Sequence, residues 1–163
     1  MISATSRAIL VLSILVCGAA CATTANAAPP GDACALLTPA QVGAALGVPV
    51  AAGTYVTPTF KKTCTWNATT TGSGYVTLML QDVGAFESGK QMSSMAAATK
   101  MVVTPIGGVG DDAYYLALGD QVGFIVKKGN ATFKVAVYAH IPIESKQAKE
   151  KTLAQQVVPG LQQ

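Results

Sequence analysis

The run Ala113-Tyr-Tyr-Leu-Ala-Leu-Gly-Asp-Gln-Val-Gly-Phe-Ile-Val-Lys-Lys-Gly-Asn-Ala-Thr-Phe-Lys-Val-Ala-Val-Tyr138 reads as successive β-hairpins. Segments 113–118, 121–127 and 131–138 are rich in β-branched and aromatic residues. The links between them, Gly119-Asp120 and Lys128-Gly-Asn130, are compact enough for hairpin loops. In the last segment Phe133, Val135 and Val137 alternate with Lys134, Ala136 and Tyr138, the period of a half-buried strand.

Upstream, Val102-Val-Thr-Pro-Ile106 leads into the meander through Gly107-Gly-Val-Gly-Asp-Asp112. Before it, residues 86–100 read as a helix, with Phe86, Met92, Met95, Ala96 and Met101 near one face and Gly89 weakening it. Earlier still, 54–60, 63–67 and 75–81 read as strands joined by the Lys61-Lys62 turn and a polar loop over 69–74. Thr38-Pro39 opens a short helix, with Thr38 at the N-cap, Pro39 at the first helical position and Gly47 as the stop. Leu37, Val42, Ala45 and Leu46 supply its apolar stripe. Downstream, 144–158 reads as a final helix ended by Pro159-Gly160. The expected architecture is α+β: an antiparallel sheet of about six strands with flanking helices, in the order α-βββ-α-βββ-α.

The chain has 163 residues, 50% of them hydrophobic and only 12% charged, with a formal net charge of +3. That balance excludes a disordered charged tail and gives no charge-based case for nucleic-acid binding. Much of the apolar excess lies at the start. A weakly basic opening to Arg7, an uncharged run over 8–22 and a small-residue exit make the pattern of a secretory signal peptide. The apolar run is short for a membrane span. Ala25-Asn26-Ala27 offers a cleavage site, which divides the chain into a leader, 1–27, and one exported domain, 28–163. Alternatively, Gly18-Ala-Ala-Cys21 resembles a lipobox, in which Cys21 would carry lipid and anchor the chain to the membrane. Removing the leader takes Arg7, the sole arginine, so lysine alone faces the eight Asp and Glu. The loss of guanidinium lowers the expectation of phosphate or nucleotide recognition.

Removal of the leader with cleavage after Ala27 leaves two cysteines, Cys34 and Cys64. In an exported domain they read as a disulfide. A catalytic or metal-binding thiol would need His or further Cys partners, and His140 is the sole histidine.

No stretch carries a recognised catalytic motif. The 107–112 loop lacks the Lys-Ser/Thr of a P-loop, and a strand follows it where a helix N-terminus would be needed; Asp111 and Asp112 read as a turn at a strand entrance. No G-x-S-x-G or H-E-x-x-H element surrounds His140, which stands beside Ile141-Pro142 at a strand end. Two neighbouring Asp are too few for calcium, so neither a metal nor another cofactor is expected. Asn67-Ala-Thr69 and Asn130-Ala-Thr132 match the glycosylation acceptor but read as turns. Trp66, Tyr55, Tyr75, Tyr114, Tyr115 and Tyr138 suit sheet packing; several on one exposed face would instead line a groove.

The segment Asp32-Ala-Cys34-Ala-Leu-Leu-Thr38-Pro-Ala-Gln-Val-Gly-Ala-Ala-Leu46, the strand Cys64-Thr-Trp66 and the turn Gly108-Val-Gly-Asp-Asp-Ala-Tyr114 together resemble a domain-of-unknown-function family of small exported bacterial proteins, many of them actinobacterial lipoproteins. That family has a C-x-L-L-T start, a C-x-W strand and a Gly-x-Gly-Asp-Glu-Ala-Tyr turn, where Asp112 here replaces the Glu. The resemblance implies the Cys34–Cys64 disulfide and an envelope or extracellular address, and brings no activity with it.

The expectation is a non-enzymatic exported domain that binds a protein, glycan or lipid and no nucleic acid, and meets a membrane only if Cys21 is lipidated. Trp66, Tyr114, Tyr115, Asp111, Asp112 and His140 are the residues expected to offer a binding surface. The contrasting expectation is a small secreted hydrolase or hydrolase inhibitor working at His140 or the 107–112 loop.

Overall fold

The computed structural model describes residues 31–92 and 100–161. The strands are β1 (Thr54–Tyr55), β2 (Thr63–Asn67), β3 (Tyr75–Gln81), β4 (Met101–Pro105), β5 (Asp112–Leu118), β6 (Gln121–Lys128) and β7 (Ala131–Tyr138). They form one seven-stranded sheet in the order β1-β2-β3-β7-β6-β5-β4, antiparallel throughout. Two meanders, β1 to β3 and β4 to β7, therefore join along β3 and β7, which pair from Tyr75↔Tyr138 to Gln81↔Thr132. The α+β order expected from the sequence holds. The edge strand β1 is shorter than the expected 54–60, because Phe60 N–H bonds back to Thr57 C=O at 3.1 Å and turns the chain around Pro58.

The helices are α1 (Pro39–Leu46), α2 (Val83–Gln91) and α3 (Ile143–Val157). Helix α1 begins as expected: Thr38 Oγ1 accepts from Gln41 N, the Gln41 side chain returns to Thr38 N, and Gly47 closes the helix in the left-handed region at φ 81°. The Lys149 ammonium of α3 donates to Ala45 C=O at 2.8 Å and Leu46 C=O at 3.1 Å, so a cation meets the negative end of α1. Helix α2 starts three residues before the expected Phe86, behind Asp82. Residues 93–99 of the expected helix, Met95 and Ala96 among them, lie outside the described residues.

Helices α1 and α3 pack on one face of the sheet. Their Leu37 flank, Val42, Leu153, Ala154 and Val157 share a core with Trp66, Val76, Phe124, Phe133 and Val135. Helix α2 lies on the other face, where Phe86 packs with Tyr114 and Ile125. Its Gly89 is required there. A Cβ at that position would sit 2.2 Å from the Tyr114 hydroxyl, which donates to Phe86 C=O at 3.1 Å. The methionine expected on the buried face of this helix, Met92, is instead exposed.

Cys34 and Cys64 form the expected disulfide, their Cα atoms 5.0 Å apart. Around it, the Tyr55 hydroxyl donates to both Asp32 oxygens at 2.8 and 3.0 Å, and Asp32 accepts from Cys34 N. The acceptor carboxylate raises the Tyr55 pKa above its ordinary value. These contacts tie the start of the described chain to the β1 edge.

Candidate functional site

Strands β6 and β7 do not pair along their full length. Their register runs from Lys128↔Ala131 to Phe124↔Val135 and stops, although β6 begins at Gln121 and β7 continues to Tyr138. Extended by the same register, Val122 would face Val137 and Gln121 would face Tyr138. The strands have parted there, while β7 stays bonded to β3 up to Tyr75↔Tyr138.

A cleft of about 410 Å³ lies at this parting. Tyr75 and Tyr138 line it from the β3–β7 side, Asp120 and Gln121 from the start of β6, and His140 and Lys146 from the chain that enters α3. The two tyrosine rings are cross-strand neighbours stacked at 4.6 Å between centroids and 16° between planes. Tyr75 is 37% exposed, a large share for a ring on a central strand. Gly74, at φ 93°, brings the loop close enough that a Cβ would lie 2.0 Å from Tyr138 C=O, so no other residue fits that rim. The Lys146 ammonium donates to Asp120 C=O at 2.8 Å and fastens the first turns of α3 to the β5–β6 turn.

Beneath the parting, Glu150 of α3 is fully buried. Its Oε1 accepts from Val137 N at 2.9 Å, and its Oε2 has no partner among the described residues. Desolvation pushes its pKa up to about 8, against the opposing pull of the Val137 N–H and of Lys134 and Lys146. The carboxyl is thus held neutral around pH 7. Nothing in the sequence singled it out, since a helical Glu among lysines reads as a solvated residue.

Of the residues expected to offer a surface, only His140 lines this cleft. Trp66 is a fully buried core residue. Tyr114 and Tyr115 are buried as well, their hydroxyls spent on Phe86 C=O at 3.1 Å and Gln147 C=O at 2.6 Å, and desolvation pushes both pKa values up to about 12. These three therefore contribute packing and no surface. Asp111 and Asp112 stand at the opposite end of β5. Asp111 accepts from Gly129 N and the Lys128 ammonium, both at 2.7 Å, which lowers its pKa, and Asp112 pairs with Lys90. Asp111 thus closes a turn, while Asp112, the first residue of β5, is engaged by helix α2. Cys21 lies outside the described residues.

A second hollow, of about 530 Å³, runs along α1 between Ala40, Gly43, Ala44 and Val48, Pro49, Val50. It is apolar and carries no titratable group.

Among the described residues, His140 bonds to neither a serine nor a carboxylate, and no group of three or more His, Cys, Asp or Glu is arranged to hold a metal. The cleft sets the rings of Tyr75 and Tyr138 beside the amide of Gln121, the carboxylate of Asp120, the imidazole of His140 and the ammonium of Lys146. Comparison with protein-family models, with curated proteins and with solved structures gives no match to this chain.

Proposed function

We propose that the chain is an exported, non-enzymatic binding domain of the cell envelope or exterior, and that its ligand enters the cleft beside Tyr75 and Tyr138. The single observation behind this reading is the half-exposed tyrosine pair at the point where β6 leaves β7. A sheet that needed only stability would continue its ladder there; instead the strands part beside rings flanked by polar groups, the mixture a binding cleft uses. Export is supported by the leader-like pattern of residues 1–27 and by the Cys34–Cys64 bond, since disulfides persist in oxidising compartments. The short motifs shared with small exported bacterial proteins point the same way.

Among ligand classes, the cleft suits a glycan better than a lipid. Its rings offer flat surface for sugar C–H groups, and its amide, carboxylate and imidazole suit hydroxyl groups, whereas an acyl chain would leave those polar groups unpaired. No comparable arrangement supports a hydrolase or inhibitor reading at His140 or the 107–112 loop, where Asp111 is already engaged.

The test is capture of envelope and extracellular polysaccharide fractions by the exported protein, followed by the same capture with Tyr75→Ala and Tyr138→Ala. The reading expects binding that both variants lose without loss of fold. Equal capture by the variants, or turnover of a glycan or ester substrate by the wild type, overturns it.

A further inference from the structure

We propose that two copies of this chain pair edge to edge through β4, antiparallel about a two-fold axis at Val103, so that two seven-stranded sheets become one. The sheet has two edges. One, β1, is two residues long and is held in by Tyr55 and Asp32. The other, β4, is a regular five-residue strand with no charged side chain. Natural sheets blunt exposed edges with charge, proline, brevity, bulges or a covering segment, and among the described residues β4 has of these devices only Pro105 at its end.

The hydrogen-bond parity of β4 makes the edge self-complementary. Ile106 N bonds to Ala113 C=O at 2.9 Å, and with the register Thr104↔Tyr115 and Val102↔Ala117 this assigns residues 102, 104 and 106 to β5. Residues 101, 103 and 105 therefore direct their main-chain groups outward. A second copy centred on Val103 exchanges both Val103 bonds across the axis and receives Met101 N–H on its Pro105 C=O, and the reverse. Pro105, which lacks an N–H, sits at the last residue, where its deficit leaves only the Met101 carbonyl to water.

The flanking side chains agree with that partner. In this register Val102 faces Thr104 of the other copy as a close, non-hydrogen-bonded pair. Val102 is 57% exposed on one face, and Leu118, beside Met101 on the other, is 52% exposed. Pairing would set Thr104 of the second copy beside Val102, and no like charges meet along the strand, so a second copy is the partner whose chemistry the edge matches throughout.

The test is sedimentation velocity on the full chain as its host exports and processes it, from low to several hundred micromolar. The expected mass is twice that of one chain, with a concentration-dependent monomer. Val102→Lys with Thr104→Lys places like charges opposite each other and should give monomer with an unchanged circular dichroism spectrum. Val102→Glu with Thr104→Lys places opposite charges across the same pairs and should restore the dimer. A wild type that stays monomeric throughout, a double-lysine variant that stays dimeric, or a charge-swapped variant that stays monomeric each overturns the proposal.

Discussion

The Glu150 carboxyl accepts the main-chain N–H of Val137 at 2.9 Å, in the place where Val122 C=O would stand had β6 kept its pairing with β7. A helix side chain thus completes a sheet ladder. It lets the strands part beside Tyr138 without leaving a buried N–H unpaired, a fault that would cost about 1–3 kcal/mol. The cleft and the buried acid are two sides of one break in the sheet.

Because burial raises the folded-state pKa of Glu150 from its ordinary value near 4.5 to about 8, the folded chain holds a proton that the unfolded chain releases between those values. Its contribution to stability is complete below about pH 4.5, falls as pH rises, and is gone by about pH 8. Denaturant titrations across this range should show that decline in the wild type. Glu150→Gln, which still accepts from Val137, should flatten it, and Glu150→Ala should destabilise by about 2–4 kcal/mol at low pH through the unpaired N–H and the space left behind, with the difference from wild type shrinking as pH rises towards 8. A wild type whose stability is level from pH 5 to 8 would contradict the neutral buried carboxyl.

Reduction should cost much of the fold. The Cys34–Cys64 bond spans 30 positions, worth about 3–4 kcal/mol of unfolded-chain entropy. Thermal melts with and without dithiothreitol, alongside a Cys34→Ser, Cys64→Ser double variant, should show matched losses of that size.

Gly89→Ala opposes two effects of known sign. Alanine favours the helix by about 1 kcal/mol, but its Cβ would strike the Tyr114 hydroxyl that bonds to Phe86 C=O. Overpacking of a buried site costs about 1–3 kcal/mol, so the variant should be less stable. Adding Tyr114→Phe, which removes the obstructing oxygen, should recover part of the loss in chemical denaturation.

Lys149→Met should remove the ammonium from Ala45 C=O and Leu46 C=O while keeping most of the aliphatic stem. A loss of about 1 kcal/mol is expected, from hydrogen bonds to a charged group at the end of α1. Protection of α1 amides from hydrogen exchange should fall more than that of β3 or β7.

Much of the fold was legible in local chemistry. The Thr38 cap, the stop at Gly47, the alternation of Phe133, Val135 and Val137, and the turns at Gly119 and Gly129 each act over a few residues, and α1, β5, β6 and β7 formed close to their expected bounds. Gly89 was visible as a weak point in a helix, and its reason, the Tyr114 hydroxyl 25 positions along the chain, was not.

By itself the sequence determined the α+β order, the hairpins, the caps of α1 and the pairing of Cys34 with Cys64, because propensity, period and turn geometry act between near neighbours and these two cysteines lie outside the leader-like stretch that holds Cys17 and Cys21. The tertiary structure alone decided that β7 returns to pair with β3, that β6 leaves it at Phe124, and that Glu150 fills the gap. It also decided which aromatics are available: Trp66, Tyr114 and Tyr115 are buried, while Tyr75 and Tyr138 stack beside the cleft. Both faces of this sheet carry helices over part of their area, so alternation along a strand cannot tell a covered ring from an open one. That distinction arises only when segments distant in the chain come to lie over the sheet.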